Sequence, residues 1–127
     1  MTNEILINDG GAPARILPFI SNEIITAGQV VKISTVGKVE MCTDEDFPIA
    51  GVLLTDAVVG GPANVVTGSG VILNIKCAAA VVTGNGLMVN EAAPGELIIT
   101  DDDSNSSTVA YALETTGVRG LVKCLVV

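Results

Sequence analysis

The chain has 127 residues, enough for one ordinary domain, with 6 basic and 14 acidic side chains and a formal charge of −8. Phosphate recognition needs clustered positive charge, so this balance speaks against a nucleic-acid partner and against a basic patch on a membrane surface. Histidine and tryptophan are absent and Phe19, Phe47 and Tyr111 are the only aromatic residues, which removes the commonest general base, the commonest metal ligand and the rings that stack bases or sugars.

Hydrophobic residues nevertheless make up 49% of the chain, too many for a disordered one. No apolar run approaches the roughly 20 residues a spanning helix requires. Met1-Thr2-Asn3-Glu4 lacks the basic start and apolar stretch of a signal peptide, so an acidic domain of cytosolic type is expected. Cys42, Cys77 and Cys124 stand far apart with no C-x-x-C spacing and are expected to be buried, reduced thiols. A small domain this apolar is expected to hide part of its surface between subunits.

Residues 1–22 are expected to form an extended N-terminal arm, and residues 23–127 a single β-barrel domain. Asn8-Asp9-Gly10-Gly11-Ala12-Pro13 is a turn cluster, and Pro18 then interrupts Ala14–Ile20. Prolines forbid a regular central strand there, so these residues should lie extended on some apolar surface. Arg15, Ile16, Leu17, Phe19 and Ile20 are the candidate contact residues of that arm. Arg15 would pair with a partner's carboxylate or stand at an ordinary surface.

From Glu23 onward, short β-branched runs alternate with Gly and acidic turns. Strands are predicted at Val30–Ser34, Lys38–Cys42, Ile49–Thr55, Val71–Ile75, Leu87–Asn90, Leu97–Thr100 and Leu121–Val127. Thr35-Val36-Gly37 and Ala92-Ala93-Pro94-Gly95 are predicted hairpin loops with Gly at the positive-φ position. Asn85-Gly86 and Ser69-Gly70 are further turn signals. Ser107–Thr115 fits two helical turns or, by its alternation of Val109, Tyr111 and Leu113, a strand.

An internal echo runs through this text. Ile25–Val30 resembles Val82–Leu87 at an offset of 57, Gly37–Glu40 resembles Gly95–Ile98 at 58, Thr43–Asp46 resembles Thr100–Asp103 at 57, and Ile49–Thr55 resembles Val109–Thr115 at 60. Two copies of one β-unit, each too small to bury its apolar face alone, would pack into a small barrel or sandwich.

No constellation of catalytic residues emerges. Asp101-x-Asp103-x-Asn105 copies the start of a calcium loop, but Ser106 and Ala112 replace the required Gly and bidentate Glu. Gly60-Gly61-Pro62 and Gly68-Ser69-Gly70 lack the Lys-Ser/Thr and the helix of a phosphate cradle. No His is present to activate the many Ser, Thr and Cys side chains. The expectation is therefore a non-enzymatic chain with no catalytic residues, no cofactor and no metal. A small carboxylate-based enzyme is the remaining catalytic option.

Ile25-Thr26-Ala27-Gly28-Gln29-Val30-Val31-Lys32, then Gly37-Lys38-Val39, Pro48-Ile49-Ala50-Gly51-Val52-Leu53, Gly60-Gly61, Gly70-Val71, Ala110–Leu113 and Leu121–Val127 together carry a resemblance. The pattern resembles the small capsid cement, or head decoration, proteins of tailed bacteriophages over about residues 13–127. It consists of glycine and β-branched spacings, not of a signature site. The resemblance implies an all-β fold, a small β-barrel of the β-tulip kind built from two pseudo-repeated units with an extended N-terminal arm. It further implies a homotrimer on the outer surface of the mature virion head, made in the host cytoplasm, with the major capsid protein as partner and neither nucleic acid nor membrane. Removing residues 1–20 would then weaken shell binding and leave the core folded. The extra turn at Gly10–Pro13 departs from the family. The alternative is a β-rich binding module, such as the capsid anchor of a head fibre or a domain for a surface ligand.

Overall fold

The computed structural model describes residues 5–8, 15–34, 37–42, 49–67, 70–89, 94–99 and 108–126. Those residues are all-β, without a helix. In chain order the strands are β1 (Leu6–Asn8), β2 (Arg15–Ile20), β3 (Val30–Ile33), β4 (Val39–Met41), β5 (Ile49–Leu53) and β6 (Pro62–Thr67). They continue with β7 (Ile72–Cys77), β8 (Gly86–Val89), β9 (Leu97–Ile99), β10 (Ala110–Ala112) and β11 (Gly120–Val126).

One sheet has the order β2-β6-β5-β3-β4, the other β1-β7-β11-β10-β8-β9. Both curl until their ends meet. Ser21, just after β2, pairs in parallel with Val39 of β4, and Cys77 of β7 pairs in parallel with Leu97 of β9. The closing bonds correspond: Asn22 N–H to Val39 O at 2.8 Å, and Ala78 N–H to Leu97 O at 2.9 Å. The result is two five-stranded rings with one connectivity, and β1 added outside β7. Closure removes most of the open edges that a small sheet would otherwise expose.

Further bonds correspond between the rings. Gly28 N–H donates to Leu53 O at 2.9 Å as Gly84 N–H does to Ala112 O at 2.8 Å. Thr26 N–H donates to Gln29 Oε1 as Val82 N–H does to Asn85 Oδ1, both at 2.9 Å. Gly28 therefore stands opposite Gly84, and Leu53 opposite Ala112. The sequence echo, which matches Gly28 to Asn85 and Leu53 to Leu113, is one residue out in both blocks. Val39 opposite Leu97 agrees with the offset of 58.

Apolar doublets explain how two such small rings share one domain. Val31, Leu53 and Val65 fill the first ring with Ile25, Val39, Ala50, Ala57 and Ala63. Their neighbours Val30, Val52 and Val66 point the other way and join Leu73, Ile75, Leu87, Leu97, Val122 and others in the larger second core. Strands β3, β5 and β6 are thus buried on both faces, which is why they read as runs rather than as alternation. β7 has one buried face and alternates cleanly, with Leu73, Ile75 and Cys77 inside.

Two expectations need correction. Arg15–Ile20, expected as an extended arm outside the β-barrel domain of residues 23–127, is extended but belongs to the first sheet as β2, paired with β6 from Arg15↔Thr67 to Ile20↔Pro62. Residues 1–20 therefore include a wall of the first ring, and their removal would open it. β6 itself was missed, because Pro62 and the flanking glycines read as turn. β1, which falls in the expected arm and reaches into the expected turn cluster at Asn8, is a strand paired with β7. Elsewhere the differences are small: β5 ends at Leu53, β7 extends to Cys77, and β10 resolves the ambiguous segment as a strand. Gly37 and Gly95 both have φ +76°; residues 35–36 and 92–93 of their predicted loops lie outside the described residues. In the turn before β8 the positive φ belongs to Gly84, and Gly86 already opens the strand.

All three cysteines are free and buried. A hydrogen bond with the Cys77 thiol and burial push the Cys124 thiol far above its ordinary range. A thiol-specific reagent at pH 8 is expected to label none of the three in the native protein and all three in denaturant. Labelling before unfolding would contradict this packing.

Candidate interaction surface

The structure separates four of the five predicted contact residues, Ile16, Leu17, Phe19 and Ile20. Directly paired residues on neighbouring strands project to the same face, so Leu17 and Phe19 share the side of buried Val65 and Ala63. Phe19 packs against the first core. Ile16 and Ile20 project to the opposite side and are exposed, with Pro18 between them. The Arg15 side chain lies outside the described residues.

Pro18 fits because of where its missing N–H falls. Ser21 N–H donates to Gly61 O at 2.9 Å, which fixes the alternation along the ladder. Ile20, Pro18 and Ile16 therefore turn their backbone groups away from β6. On that side β2 meets another strand only at Ser21, among the described residues. The proline costs no ladder bond there, as on any edge strand.

Exposed apolar side chains gather at the end of the first ring. Gly60 N–H donates to Ser21 O at 2.9 Å, and Ile25 and Ala57 exchange bonds at 3.0 and 2.9 Å. These bonds bring Ile20 and Ile24 beside Val58 and Val59. Ile24 is 68% exposed and Val59 65%. At the matching end of the second ring stand Val82 and Val118, on the two segments that the Val81–Thr116 bridge joins. The sequence reading missed these residues. Their signals were Ile24-Ile25, a pair that a strand cannot bury on one face, and Val58-Val59 placed directly before a Gly-Gly turn.

Charged groups are arranged structurally. Glu96 is buried, and its carboxylate accepts from Arg119 Nε at 2.8 Å and Nη2 at 2.6 Å. Those bonds hold the Glu96 carboxyl below its usual range, against the opposing effect of burial. The unfolded carboxyl titrates at about 4.3, so the pair's contribution is complete above that pH and is lost as pH falls through the lower folded value. Glu96→Gln is expected to lower the melting temperature at pH 6 and to match the wild type more closely near pH 3. A gap independent of pH would contradict this. Lys32 and Glu40 pair across β3 and β4 at 3.7 Å, a long and partly buried contact.

Among the described residues no group of three or more Cys, Asp or Glu side chains is placed to hold a metal ion. The acidic turns Asp44–Asp46 and Asp101–Asn105 lie outside the described residues. What the surface offers is backbone edge and apolar side chains, suited to another protein surface.

This arrangement defines a compact protein of paired five-stranded β-rings. No family model matches the sequence, and no curated protein does. Among solved structures, the fold is similar to the crystal structure of the head fibre gp8.5 N base of bacteriophage phi29. The TM-score is 0.73 at 16% identity, and the match covers 91% of this chain and 95% of that one.

Proposed function

We propose that this chain is a structural protein of a bacteriophage head that binds the outer surface of the mature capsid shell as a decoration, or cement, protein. The likeness in fold to a phage head fibre base, over nearly the full length of both chains, carries this reading. The resemblance of the glycine and β-branched pattern to that of cement proteins and the exposed apolar ends support it. Its partners in this reading are the major capsid protein and its own copies in a homotrimer. An acidic body bound outside the shell would not stick to the packaged DNA.

The mechanism is thermodynamic and not catalytic. A protein that binds only the mature lattice adds its binding free energy to that lattice. Many copies multiply the effect without any bond being made or broken.

The second reading is a capsid anchor for a head fibre, favoured by the identity of the structural neighbour. Heating expanded, DNA-free shells with and without the protein separates the two. A cement protein that bridges capsid subunits loses its site when the shell comes apart and so raises the temperature of shell disruption, whereas an anchor held by a single subunit binds assembled and released subunits alike and leaves that temperature unchanged. Absence of binding by the folded protein would sink both.

A further inference from the structure

We propose that this chain binds a second copy of itself head to tail, the Val82–Gly84 turn of one copy docking on the β2 edge of the next. The contact would repeat the joint that already holds the two rings together within one chain. The proposal deepens the self-association of the capsid reading by naming its contact; it is argued from the internal joint alone and tested without shells, so either can fail without the other.

The internal joint is a close approach of backbone to backbone. Gly28 O accepts from Lys76 N–H of β7 at 2.8 Å, and Lys76 Nζ donates to Thr26 Oγ1 at 2.7 Å beside it. Gly95 O accepts from Val30 N–H at 2.8 Å. A side chain at either glycine would crowd the joint: a Cβ on Gly28 would lie 2.5 Å from Leu121 Cδ2, and one on Gly95 3.1 Å from Gln29 Cβ. A turn of the first ring thus closes the outer edge of β7, next to the stretch that β1 covers.

The backbone elements of this joint recur at the opposite ends of the molecule, where no described residue covers them. Gly84 has the φ of Gly28, +92°, and Gly37 the φ of Gly95, +76°. Ile20 stands on β2 where Lys76 stands on β7, and Val82 stands in its turn where Thr26 stands. Among the described residues, a Cβ on Gly84 or Gly37 would meet nothing within 4 Å. Ile20 is 44% exposed and Val82 56%. The internal polar pair Lys76–Thr26 therefore corresponds to an apolar pair, Ile20–Val82. Such a pair gains from leaving water only when a second copy brings it together. The turn and the edge belong to different ends of one chain, so the contact is heterologous and forms a ring if its rotation closes.

Mixing an Ile20→Cys copy with a Val82→Cys copy under mild oxidation tests the pairing directly, since the native thiols are buried. The mixture should yield a disulfide-linked dimer joining one copy of each variant in preference to either variant's homodimer. In sedimentation, the wild type should associate, and Ile20→Lys should weaken association roughly tenfold or more by stranding a charge on an apolar contact. Adding Val82→Thr to Ile20→Lys recreates the Lys–Thr pair of the internal joint and should restore association. Ile20 is a surface residue, and circular dichroism will verify that the variants fold. A wild type that stays monomeric at its highest soluble concentration, association indifferent to Ile20→Lys, or a mixture without preferential cross-linking would each overturn the proposal.

Discussion

Gly51→Ala is expected to cost about 3 kcal/mol or more, a large share of the roughly 5–15 kcal/mol that keeps such a domain folded. Gly51 lies inside β5 with φ +152°, a conformation that side chains disfavour. A Cβ there would overlap the carbonyl oxygen of Val66 and approach Val65 Cγ1 to 2.7 Å. Backbone in the middle of β6 cannot swing aside as a flexible side chain would. β5 pairs with β6 at Val52↔Val66 and Leu53↔Val65, so any shift disturbs both cores. Gly37→Ala is the control. Its φ is also positive, but a Cβ there meets no described residue within 4 Å, and the cost should stay near 1–2 kcal/mol. Urea unfolding of the two variants reads the difference. A Gly51→Ala protein within about 1 kcal/mol of the wild type would contradict the packing at the β5–β6 crossing.

Leu53→Ala should destabilise the protein by about 3–5 kcal/mol. Leu53 is fully buried in the first ring, and several of its neighbours are short: Ala50, Ala57 and Ala63. Alanines cannot reach into the space vacated, and the ring is closed on both sides by hydrogen bonds that resist collapse. The lost transfer energy is therefore joined by an unrelieved cavity. Ile24→Ala, an exposed deletion of similar size, should stay within about 0.5 kcal/mol. If the two variants unfold at the same urea concentration, the first ring has no core of its own.

What the sequence conveyed was whatever is local. The β3–β4 hairpin was legible because Gly37 marks its loop and β-branched residues flank it. Burial of the cysteines followed from their apolar strands. β2 and β6 were hidden for one reason: each contains a proline, at 18 and 62, and a proline argues against a strand until the edge it occupies is known. Their pairing joins residues about 45 apart in sequence, which no local pattern reports. The echo was visible, but aligning Thr26 with Thr83 slipped it by one residue. Hydrogen bonds, not residue types, set Gly28 opposite Gly84.

The surface was less legible than the core. The apolar segment Ile16–Ile20 was noticed, but as an arm and not as a wall of the first ring. Val58, Val59 and Val118 resemble core residues by type, and only the turns that carry them outward make them exposed. The Glu96–Arg119 pair joins two segments that meet only when the second ring closes.

The measurement that bears most directly on the capsid reading is co-sedimentation with expanded, DNA-free shells of the capsid protein encoded alongside this chain. Saturable binding at a fixed ratio to capsid subunits, with little binding to unexpanded shells, is the predicted result. Folded protein that stays in the supernatant with expanded shells would contradict a place on the phage head.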